Sequence, residues 1–131
     1  MEITLFTRPG CAESAATRTS LGSIGISFGE RNADERGGVV TPVLVARVGG
    51  ESISWEGHRA DLLDLLIDAF DAGFVPAGGM RDADEAREAV LTRAQVVREL
   101  RGHGVDVADF DADYAVQPLY RGADVLDFLG Y

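Results

Sequence analysis

The most hydrophobic run of the chain, Val39 to Ala46, carries a proline in its middle, Pro42. Proline has no N–H to give a strand ladder, so this run cannot be an ordinary central strand from end to end. Three arrangements accommodate it: an edge, a bulge, or a turn with a cis peptide just before the strand proper. Gly49-Gly50 then signals a hairpin, and Glu51-Ser52-Ile53-Ser54-Trp55 alternates as the returning strand. Upstream, Ile3-Thr4-Leu5-Phe6 is β-prone and is broken by Thr7-Arg8-Pro9-Gly10. A helix is expected from Ala12 to about Ser23, a short strand at Ile26-Ser27-Phe28, and a loop or frayed turn from Asn32 to Gly38. Downstream, Arg59 to Ala72 reads as an amphipathic helix. Leu62, Leu63, Leu65, Leu66, Ile67 and Phe70 form its apolar face, with Asp61, Asp64, Asp68 and Asp71 opposite.

The order is thus β, α, β, β, β, α, a mixed sheet flanked by helices. Pro76-Ala77-Gly78-Gly79 is the expected internal boundary, which divides the chain into a domain at residues 1–76 and a mostly helical C-terminal extension at 77–131. In the extension one charged helix is expected from Asp82 to about Arg101, ended by Gly102-His103-Gly104. Val105 to Asp111 alternates apolar and acidic residues, and Gly122 to Leu129 suits a last short helix. The net charge of -10 argues against nucleic acid or an anionic membrane as partner, because each phosphate contact needs a cation. With one cysteine no internal disulfide can form, and no signal peptide or spanning segment is visible, so the cytoplasm is the expected location. His58, His103 and Cys11 have no metal-site spacing, and the acidic cluster from Asp106 to Asp113 lacks the glycine and terminal glutamate of a calcium loop. No bound metal or cofactor is expected.

The chemistry centres on Cys11, which follows a strand and a Pro-Gly break and precedes a helix. A helix start offers unpaired N–H groups and the positive end of the dipole, which favour a thiolate. Arg8, three residues upstream, is expected to add positive charge. Ser14 stands where a dithiol exchanger carries its second cysteine; it can hydrogen-bond the thiolate but not form a disulfide, so release needs an outside thiol. If Pro42 is cis and faces Cys11, the Thr41 backbone is left to pair with an extended substrate. Gly57-His58-Arg59 opens the long helix, where backbone N–H groups and Arg59 could hold a carboxylate.

Thr7-Arg8-Pro9-Gly10-Cys11-Ala12-Glu13-Ser14, Val40-Thr41-Pro42-Val43 and Trp55-Glu56-Gly57-His58-Arg59 together resemble the glutaredoxin-type members of the thioredoxin superfamily, over about residues 1–72. The resemblance implies a four-stranded mixed sheet with Cys11 as nucleophile and Pro42 as the cis proline. It implies a thiol–disulfide oxidoreductase acting on mixed disulfides of a protein or a small thiol, with glutathione or an equivalent low-molecular-weight thiol as co-substrate. The family's C-x-x-C is C-x-x-S here, which makes the expected enzyme monothiol. Two other readings compete. One is a binding protein of the same fold that has lost turnover, with the extension as its partner surface; in every reading the extension is expected to pack on the domain or to pair two copies as a homodimer. The other is an arsenate-reductase-like enzyme, suggested by Gly29-Glu30-Arg31-Asn32. It needs several arginines at Cys11, of which only Arg8 is near in sequence.

Overall fold

The structure, a computed structural model, describes residues 2–36, 40–48, 51–71, 73–75, 79–80 and 82–131. It divides into two compact units, Met1–Leu63 and Asp64–Tyr131. The expected boundary at Pro76-Ala77-Gly78 and the Gly49-Gly50 turn lie outside the described residues, as does Val39.

The first unit runs β1 (Glu2–Thr7), α1 (Ala12–Ser23), β2 (Gly29–Asn32), a 3-10 turn (Ala33–Arg36), β3 (Val43–Val48) and β4 (Glu51–Glu56). It ends in the first turn of α2 (Ala60–Asp71). The strands form one sheet in the order β2-β1-β3-β4, with β1–β2 parallel and the other two pairs antiparallel. The parallel pair requires a crossover, which α1 supplies. This is the mixed four-stranded sheet of a thioredoxin-type α/β fold. Alternation along β1 buries Ile3, Leu5 and Thr7 on one face, while the inner strand β3 buries Val43 and Leu44 in succession. Pro42 follows a cis peptide bond, and the strand begins at Val43. Of the three arrangements open in the sequence, the turn before the strand is the one adopted.

The second strand lies further along than its hydrophobic alternation suggests. Ile26 is buried, but as part of the turn closing α1, where its N–H donates to the Leu21 carbonyl. The ladder begins only at Gly29, opposite Thr4. All four residues of β2 are exposed, as suits a charged edge strand.

The second unit holds the rest of α2, then α3 (Ala83–Glu88), β5 (Val90–Thr92), α4 (Arg93–Gly102), α5 (Val107–Asp113), β6 (Leu119–Arg121) and α6 (Gly122–Leu129). The expected single helix over 82–101 is therefore two helices with a strand between them. Thr92 begins α4 with a capping box, its hydroxyl accepting from Gln95 N–H and the Gln95 side chain accepting from Thr92 N–H. The strand before it pairs antiparallel with β6. Val105 to Asp111, which alternates in sequence, enters α5 after the Asp106 cap, whereas α6 forms where expected. Helix–strand–helix thus occurs twice, around a core of Val75, Ala89, Leu91, Val96, Leu100, Phe110, Tyr120 and Val125. Among the described residues no helix is long and apolar enough to cross a membrane.

Candidate active site

Thr7 ends β1, and Arg8-Pro9-Gly10 turns the chain into α1. Cys11 N–H donates to the Arg8 carbonyl at 3.3 Å, and Gly10 holds a φ of 78°, a left-handed conformation that favours glycine. Cys11 is the N-cap of α1. Caps are usually oxygen side chains that accept from the first-turn N–H groups; here sulfur takes that place and accepts from Ser14 N–H at 3.4 Å. The Thr41 hydroxyl donates to the same sulfur at 3.1 Å, and the thiol faces the Thr41 carbonyl at 3.6 Å. The residue before the cis peptide thus clasps Cys11 from the start of β3.

These contacts lower the Cys11 pKa from 9.0 to about 7. The largest influence is the Ser14 side chain, followed by the Thr41 hydroxyl and the Ser14 N–H, against a smaller opposing effect of burial. The Ser14 hydroxyl is buried and has no hydrogen-bond partner of regular geometry. Arg8, expected to supply the charge, is not among these influences; its guanidinium lies 3.4 Å from Asp34.

The other expected site residues fall nearby in the chain but are already engaged. Gly57, at φ 81°, donates its N–H to the Pro42 carbonyl at 2.7 Å and so ties the end of β4 to the turn before β3. His58 Nδ1 shares a 2.8 Å hydrogen bond with the hydroxyl of Thr17, which is fully buried on α1. Arg59 grips Asp61 through two hydrogen bonds, at 3.1 and 2.8 Å, and holds that carboxyl below its ordinary range. Cys11, Ser14 and Thr41 are therefore brought into contact, while His58 and Arg59 are held by Thr17 and Asp61.

A cleft of about 610 Å³ opens beside Cys11, lined by the turn Thr7 to Gly10, by Ala12, Ala15 and Arg18 of α1, and by Glu30, Arg31 and Asn32 of β2. Three arginines share it, Arg8, Arg18 and Arg31, of which only Arg8 is near Cys11 in sequence. Arg18 was legible in principle, since Cys11, Ala15 and Arg18 follow the four- and three-residue steps of one helix face. Arg31 was not, because the register placing it opposite Phe6 is a tertiary fact. Among the described residues no cluster of three or more His, Cys, Asp or Glu side chains is placed to hold a metal ion.

Fold and site together define a thioredoxin-type unit built around a single thiol at a helix start. Among solved structures the chain is similar to the glutaredoxin-like protein NrdH-redoxin from Escherichia coli, at 29% identity over 50% of this chain and 95% of that one, with a TM-score of 0.43. No family model matches the chain, and no curated protein does.

Proposed function

We propose that the protein is a monothiol thiol–disulfide oxidoreductase acting through Cys11. The observation that carries this reading is the sulfur at the α1 cap, met by Ser14 N–H and the Thr41 hydroxyl and ionising at about pH 7. A thiol with a pKa near the ambient pH combines a useful thiolate fraction with retained nucleophilicity. The Cys11 thiolate attacks one sulfur of a mixed disulfide. A Cys11–sulfur bond forms, the substrate S–S bond breaks, and the other half leaves as a thiolate that takes up a proton. Because the chain has one cysteine, a small thiol must complete the cycle. Its thiolate attacks the new disulfide, leaves as part of a product disulfide and restores the Cys11 thiolate. The substrate is the disulfide of a protein or a small-thiol mixed disulfide, in a reducing compartment such as the cytoplasm.

Reduction of a small mixed-disulfide probe by the wild type and by Cys11→Ser, with glutathione and then other thiols as resolving agent, tests this. Turnover that disappears in the variant is expected. No turnover with any thiol in the folded wild type would instead favour a binding protein of the same fold.

A further inference from the structure

We propose that the cleft beside Cys11 selects disulfides that carry a carboxylate close to the reacting sulfur, through Arg18 and Arg31; this rests on the reading of Cys11 as the nucleophile. Arg18 donates through Nε to Glu30 at 2.6 Å, and Arg31 Nε lies 2.8 Å from the Glu35 carboxylate in an ion pair. In each pair the nearest contact to the glutamate is made by the inner nitrogen, Nε. A guanidinium already anchored by an ion pair has less side-chain freedom left to lose when it meets a planar carboxylate. Arg18 comes from α1 and Arg31 from β2, and Cys11 lines the same cleft, so a substrate reaching the sulfur meets both.

The charge balance favours an anion. Arg8, Arg18 and Arg31 are each paired with an acid, Asp34, Glu30 and Glu35. Of these acids only Glu30 lines the cleft, so its lining is cationic. The chain as a whole carries -10 and repels anions, so an anionic substrate needs local cations such as these to approach Cys11.

The test compares alkylation of Cys11 by iodoacetate with that by iodoacetamide, which differ in charge and scarcely in size. Both react with the same thiolate, displacing iodide as the S–C bond forms, so the ratio of their rates is independent of the Cys11 pKa. In the wild type the ratio should exceed that of a small free thiol at the same pH and salt. It should fall by about threefold or more in each of Arg18→Gln and Arg31→Gln, the size of an exposed charge pair. Arg47→Gln, which removes the same charge at the far end of the sheet opposite Glu2, should leave it unchanged. An equal fall in all three variants, or none in the first two, overturns the subsite. Turnover of mixed disulfides made with mercaptoacetate, with mercaptoethanol and with an aspartate-flanked cysteine peptide forms the second arm. Preference for the first or the third identifies a small thiol or a peptide as the source of the carboxylate. A charge-selective alkylation ratio without turnover on any of them supports the subsite and overturns the oxidoreductase reading.

Discussion

Ionising Cys11 gives up one hydrogen bond, from the thiol to the Thr41 carbonyl, and keeps two, from Ser14 N–H and the Thr41 hydroxyl. The balance favours the thiolate, and its consequences have a definite sign. With the folded value lowered from 9.0 to about 7, the stability this group contributes is complete above the unfolded value and is lost as pH falls through about 7. Alkylation by iodoacetamide should rise with pH around a midpoint near 7. Thr41→Val keeps the side-chain shape and removes one donor, so its midpoint should lie higher and its rate at neutral pH should fall by roughly two- to fivefold. An unchanged profile would show that the Thr41 hydroxyl does not act on the sulfur. Cys11, Ser14 and Thr41 were legible in the sequence because local patterns mark them: a Pro-Gly turn before a helix, a position three residues on, and a proline inside an apolar run. Arg18 was not singled out, and Arg31 was marked only as part of Gly29-Glu30-Arg31-Asn32, because their meeting depends on a strand register that no local pattern carries.

Elements were legible where one local preference governs the segment and were missed where two compete. α1 and α6 begin and end where the sequence predicts them. Between Asp82 and Arg101 helical spacing suggested one helix, yet Val90-Leu91-Thr92 pairs with β6 and Thr92 restarts the helix as its cap. Tertiary pairing of a buried β-branched stretch outweighed helix propensity there. Gly122, at the start of α6, shows how tightly the two helix–strand–helix units meet. A Cβ at Gly122 would lie 1.6 Å from the Ala86 carbonyl oxygen at the end of α3, whereas one at Gly102, at the end of α4, would meet nothing within 4 Å. Gly122→Ala should therefore cost about 3 kcal/mol or more, because the obstacle is backbone and cannot swing aside. Gly102→Ala should be neutral or stabilise by about 0.5–1 kcal/mol through reduced freedom of the unfolded chain. Urea unfolding of both variants measures the difference, and equal midpoints would mean that α3 and α6 are not packed this closely.

At the scale of the whole molecule, a segment expected to be an extension of the first domain has a core of its own. Phe110 is fully buried there, stacked on Tyr114 at a centroid distance of 4.9 Å and edge-on to Tyr120 and Phe128. The sequence showed apolar faces on helices but could not show that those faces close on one another, because the strands that bring them together are three residues long. The aromatic residues provide separate probes of the two cores. The one tryptophan, Trp55, is buried in the first unit, while all three tyrosines, Tyr114, Tyr120 and Tyr131, belong to the second. Phe110→Ala removes the centre of the second core and should destabilise it by about 3–5 kcal/mol. Unfolding followed by the near-ultraviolet tyrosine signal should then shift to lower denaturant, while tryptophan fluorescence excited at long wavelength should shift less. The rate of Cys11 alkylation, which depends on contacts within the first unit, should follow the tryptophan transition. If all three signals move together by the same amount, the two cores unfold as one cooperative unit, and the second core contributes directly to the stability of the structure around Cys11.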